Sequence, residues 1–63
     1  MLYNIKNIRQ QKKMTQEELA KKANISRATV IRLERGEKME VRVSTLEALA
    51  VALNCSVSAF FVQ

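Results

Sequence analysis

The 63-residue chain has no proline, histidine or tryptophan, one glycine, one cysteine and three aromatic residues (Tyr3, Phe60, Phe61). Without proline, and with Gly36 as the lone glycine, the usual punctuation of linkers and sheets is missing, which leaves helices joined by short polar connections. A single cysteine, Cys55, makes no internal disulfide, and with no histidine beside it there is no zinc-ligand set. That usage fits a reducing cytoplasm, and Cys55, behind Asn54 at the end of an apolar stretch, reads as a small buried hydrophobe rather than a redox switch. The sequence also lacks a glycine-rich phosphate loop, paired carboxylates in an apolar setting and a cysteine with a basic partner. The expectation is therefore a non-enzyme with no cofactor, no metal and no small-molecule ligand.

Charge is absent from one end: residues 48–63 carry none. The stretch is shorter than the roughly 20 residues that cross a membrane, and Asn54, Ser56 and Ser58 interrupt it. The first fourteen residues alternate apolar and basic positions rather than forming the apolar run of a signal peptide. A chain of this length holds one domain, residues 1–63, and buries only about 60% of its unfolded surface, so it must be compact and helical, or oligomeric.

Helical periodicity fills the rest. A first helix starts near Asn4, with Ile5 and Ile8 inward and Lys6, Lys12 and Lys13 outward. Thr15 opens a second with a capping box to Glu18, and Leu19, Ala20 and Ala23 form its inner face. Ser26 caps a third, which stops at Arg35 and Gly36. Ser44 and Glu47 spell a second capping box for a fourth, with Leu46, Leu49, Ala50 and Leu53 as its apolar stripe. Ser56 caps a short fifth carrying Val57, Phe60 and Phe61. Between them, Glu37 to Val43 alternates like a strand but has no partner, so an extended loop is expected.

The second and third helices meet at Asn24, a residue that tolerates the left-handed conformation a sharp corner needs. Stepping 100° per residue from Arg27 puts Val30 near 300° and Leu33 near 240°, the buried side, while Ala28, Ile31, Arg32 and Arg35 fall between about 40° and 140°. The outward face is thus cationic or apolar, with Glu34 at its flank, and this is the layout of a helix presented to the DNA major groove. Arginine suits that place, because its planar fork can bond O6 and N7 of guanine together, and Arg27 and Arg32 project from the groove-facing side. Ala28 and Thr29 can lie against a thymine methyl; Ile31 either does the same or is a surface apolar residue. Ser26 and Thr29 offer hydroxyls to phosphates, and Arg35, Lys38 and Arg42 add charge, Arg42 being equally readable as a solvated loop arginine. All eleven Lys and Arg lie between Lys6 and Arg42, and the net charge is +5, so attraction to nucleic acid is concentrated in the first two-thirds of the chain.

These residues carry a resemblance. Ile8 and Arg9, the run Met14 to Ala20, Ile25-Ser26-Arg27, Thr29-Val30, Leu33 to Gly36, Ser44-Thr45-Leu46, Leu49-Ala50, Ala52-Leu53-Asn54 and Ser56 together resemble the Cro/C1-type (XRE-type) helix-turn-helix family of bacterial and phage regulators. The resemblance implies an all-α, five-helix lambda-repressor-like DNA-binding domain with the helix-turn-helix at helices 2 and 3. It implies that Arg27 and Arg32 occupy the usual base-reading positions, that Gln16 is the phosphate-anchoring glutamine at the positive end of the second helix, and that Arg9 and Glu34 pair to hold the reading helix on the body. The chain departs from the family at Lys13, where glycine is frequent, and in the apolar, proline-free loop after Gly36.

Twelve of the sixteen residues from Ala48 to Gln63 are apolar, and Val51 stands where relatives commonly carry lysine. One helix face cannot absorb them all, so a homodimer is expected, with Val51, Phe61 and Val62 at the contact. A symmetric pair places two reading helices about 34 Å apart, on an inverted repeat of double-stranded DNA. The expected function is a cytoplasmic, nucleoid-associated transcriptional regulator that represses from a short operator and, on length alone, is controlled by concentration, partner binding or degradation. The alternative is an antitoxin-like or adaptor module that uses the apolar C-terminal surface to bind a protein. A membrane-surface peptide fits poorly, because basic and apolar residues are separated along the chain rather than across one helix.

Overall fold

The computed structural model describes residues 3–37 and 40–61, so Lys38, Met39 and Val62 lie outside the described residues. Four α-helices follow in order, α1 Ile5–Gln11, α2 Gln16–Ala23, α3 Arg27–Glu34 and α4 Val43–Ala52, and a 3-10 helix spans Val57–Phe61. Among the described residues there is no strand; Glu37 and residues 40–42 lie in the connection between α3 and α4, and Val43, expected in that loop, is instead the first residue of α4. The expected fifth α-helix is instead this single 3-10 element. Its N–H groups close over three residues, as when Ala59 donates to the Ser56 carbonyl at 3.1 Å, and five residues are too few to recover the cost of starting an α-helix.

Starts and stops are mostly local. At α2, Thr15 Oγ1 accepts the Glu18 N–H (3.0 Å) while Glu18 Oε1 accepts the Thr15 N–H (2.9 Å), the reciprocal box the sequence spelled. At α3, Ser26 Oγ accepts the Thr29 N–H at 3.1 Å. The second box, at Ser44 and Glu47, does not form: α4 starts at Val43 with Arg42 in the cap position and no side-chain cap bond. Ser44 is already inside the first turn, where its hydroxyl has no cap geometry to offer. Asn4 precedes α1, but its side-chain oxygen accepts from Asn7 Nδ2 (2.8 Å) rather than from a backbone N–H.

All four α-helices end alike. Lys13, Asn24, Gly36 and Asn54 take positive φ, between 54° and 74°. The next residue then donates its N–H five residues back: Met14 to Arg9 (3.2 Å), Ile25 to Ala20 (3.0 Å), Glu37 to Arg32 (3.2 Å) and Cys55 to Ala50 (2.9 Å). This closure satisfies carbonyls that a helix end would otherwise leave open. Lys13 bears a steric cost there of about 1 kcal/mol, which explains why glycine suits that corner. Three of the following residues, Met14, Ile25 and Cys55, pack against the core; Glu37 is exposed.

One core joins the elements. Ile5, Leu19, Val30, Leu33, Leu49, Leu53 and Phe60 are its most deeply buried members, drawn from all four α-helices, the end of α4 and the 3-10 helix. Phe60 also accepts the Asn4 N–H on its carbonyl (2.8 Å), and Tyr3 meets Phe61 edge-on at 5.5 Å, so the two ends of the described chain are tied together. Among the described residues, no helix is long and apolar enough to cross a membrane.

Candidate nucleic-acid interface

The candidate site is built on α2, the turn Asn24 to Ser26 and α3. Asn24, at φ 56° and ψ 44°, makes the corner. Ile25 turns inward behind it, and Ser26 starts α3 in extended geometry, φ −73° and ψ 148°. Val30 and Leu33 bury the inner stripe of α3, which leaves Arg27, Ala28 and Arg32 facing out.

A charged brace fixes the far end of α3. Arg9 Nε and Nη2 donate to Glu34 Oε2 (2.6 Å) and Oε1 (3.1 Å), while Arg9 Nη1 donates to the Met14 carbonyl (2.7 Å). The two side chains are 11% and 3% exposed. A forked pair with this much desolvation holds both direction and distance, because misaligning it strands a charge away from water. Gln16 joins the same carboxylate, its Nε2 donating to Glu34 Oε1 at 3.0 Å. Gln16, which the resemblance implies as a phosphate anchor, is therefore half-buried and tied to the brace, with its side chain positioned by α3. Among the described residues, no buried side-chain nitrogen or oxygen lacks a partner.

The other side chains singled out from the sequence distribute as follows. Arg27, Ala28 and Arg32 are exposed on α3, and Arg35 is exposed just past its end. Thr29 is half-buried, with its hydroxyl 2.8 Å from that of Ser26, so these two polar groups form one unit at the start of α3. Ile31 is half-buried rather than fully outward. Arg42 is exposed at the start of α4, across the loop. Val51 is 80% exposed and Phe61 46%, both in the chain's uncharged end; Lys38 and Val62 lie outside the described residues.

One residue near the site is invisible to helical periodicity. Glu37 places Oε1 at 3.5 Å from Arg32 Nε and Oε2 at 3.4 Å from Arg35 Nε. The periodic pattern stops before it; the signal was the Gly36 in front, since a left-handed helix stop fixes the backbone of the residue that follows.

A helix-turn-helix fold with an outward, arginine-bearing second helix is the class this geometry defines. The Helix-turn-helix family profile matches residues 5–60, and the chain belongs to that family. The Immunity repressor protein of Bacillus phage phi105 is 49% identical over 55 residues, which is 87% of this chain and 38% of that protein. This chain thus spans well under half the length of that relative. Among solved structures, the N-terminal DNA binding domain of SinR from Bacillus subtilis superposes with a TM-score of 0.85 at 27% identity, covering 95% of this chain and 87% of that one. The wild-type restriction-modification controller protein C.Esp1396I superposes with a TM-score of 0.77 at 38% identity, covering 90% and 73%.

Proposed function

We propose that the chain is a sequence-specific, double-stranded-DNA-binding transcriptional repressor that lays α3 in the major groove and binds an inverted-repeat operator as a homodimer. The observation that carries this is the braced α3: its inner residues are locked into the core and to Arg9, while Arg27, Ala28 and Arg32 stay exposed on one rigid element. Rigid display is what base reading requires, since hydrogen bonds to base edges discriminate only when the donor cannot relax onto a phosphate. The likeness to a phage immunity repressor supports repression.

In this reading Arg27 and Arg32 contact base edges, with Ala28, Thr29 and Ile31 lining the thymine-methyl side. Ser26, Arg35, Lys38 and Arg42 hold phosphates together with the α2 start at Gln16. Val51, Phe61 and Val62 form the dimer contact. The molecule's longest Cα extent is 24 Å, shorter than the roughly 34 Å between successive major-groove faces. One copy therefore reads one half-site, and two are needed for a repeat.

Selection of bound sites from a random duplex library, run in parallel with Arg32→Ala, tests this. An enriched inverted repeat with one-turn spacing is expected, relaxed by the substitution at one base pair per half-site with a loss of about 1–3 kcal/mol. No enrichment at moderate salt removes the operator reading and directs attention to a protein partner on Phe61 and Val51.

A further inference from the structure

We infer that Glu37 is a specificity-determining residue: it steadies Arg32 for base-edge contact and disfavours the use of Arg32 on the DNA backbone. The inference rests on the DNA-binding reading above and assigns a role within that face.

Three observations lead to it. The backbone of Glu37 is fixed where it stands, because Gly36 is left-handed (φ 74°), Gly36 N–H donates to Leu33 (3.2 Å) and Glu37 N–H donates to Arg32 (3.2 Å). It is also the exception among the four helix ends, since the equivalent residues Met14, Ile25 and Cys55 pack against the core whereas Glu37 remains outside. Finally, its carboxylate divides between two arginines, one oxygen to each Nε, at 3.5 and 3.4 Å.

The use of Nε matters. An arginine reads guanine end-on through its two terminal nitrogens, so a carboxylate on the Nε edge steadies the fork without occupying it. Part of the cost of ordering a long side chain is then met before DNA arrives. A backbone phosphate meets a different situation. It must approach a guanidinium already neighboured by a full negative charge, and that charge repels it, whereas a base edge carries no net charge. The same carboxylate thus favours base contact and penalises backbone contact.

The test uses Glu37→Gln, which keeps the backbone closure and the side-chain shape, with Glu47→Gln on α4 as a control of equal charge change. Affinity for a random-sequence duplex and for the duplex enriched by selection is measured over a salt series, alongside thermal melts. Expected for Glu37→Gln are an unchanged melt, about threefold tighter binding to random duplex, and a salt slope steeper by about 0.9 if Arg32 then neutralises one additional phosphate. Binding to the selected duplex is unchanged or weaker, so discrimination falls, while Glu47→Gln leaves it intact. If Glu37→Gln tightens both duplexes equally, or neither, the inference is overturned and the DNA reading stands. A wild-type chain that binds neither duplex at low salt overturns the DNA reading and this inference with it.

Discussion

At the scale of single residues, the pairing of Arg9 with Glu34 has the largest consequence for stability. Its carboxylate is 3% exposed and accepts from both Arg9 and Gln16, so removing the guanidinium leaves a charge with neither water nor counter-ion. Arg9→Met is expected to cost about 3–5 kcal/mol. A domain of this size rarely holds more than about 3–5 kcal/mol in total, so urea titration of this variant should find it largely unfolded before denaturant is added. Arg9→Met combined with Glu34→Leu should recover most of the loss, because no buried charge is then stranded. A double variant no more stable than Arg9→Met would show that the pair's value lies in its hydrogen bonds rather than in its charge balance.

At the scale of elements, the caps decide the boundaries, and one of them titrates. The hydrogen bonds from the Thr15 backbone and side chain, with Lys22 nearby, hold the Glu18 carboxyl below its ordinary value of 4.5. A group whose folded value is depressed contributes stability that is fully present above the unfolded value and is lost as pH falls through the folded one. Melting temperatures should therefore decline below pH 4.5, and Glu18→Gln, which still accepts the Thr15 N–H but does not titrate, should flatten that part of the decline. Thermal melts of both proteins between about pH 3 and 6 check this. The helices with such local signals were legible in advance. Thr15 with Glu18, Ser26, Asn24 and Gly36 mark α2, the corner and α3 within a few residues of where each acts. The start of α4 was not legible, because Ser44 and Glu47 satisfy the capping pattern while the observed cap, Arg42, lies two residues earlier, with the helix register carried by burial of Leu46, Leu49 and Ala50. Nor was the bond of Gln16 to Glu34, which spans 18 positions and belongs to no local pattern. Glu37 was hidden for a related reason: its neighbours are set by a helix end, and periodicity says nothing once the helix has stopped.

At the scale of the whole molecule, charge and apolar surface occupy different parts of the chain. Cations reach no further than Arg42, and of the exposed large apolar side chains among the described residues Val51 and Phe61 lie in the uncharged end, while Val43 stands beside Arg42. If that end joins two copies, Val51→Lys should leave the melt of the single copy unchanged, since the side chain is 80% exposed, yet shift sedimentation toward monomer. Binding to a full inverted repeat should weaken while binding to a half-site stays the same. A Val51→Lys chain that sediments as the wild type does would place the contact elsewhere. The shared way in which the four α-helices end has a further consequence, for how the molecule comes to exist. Each stop is written in the five residues before it, so the segments need no distant partner to know where to finish, while helices of 7 to 10 residues gain their stability only as they dock. Helical domains dominated by such near-neighbour contacts fold in roughly microseconds to milliseconds, whereas a ribosome takes about 50–200 milliseconds over each amino acid. Folding on that timescale finishes in less time than translation needs to add one more residue.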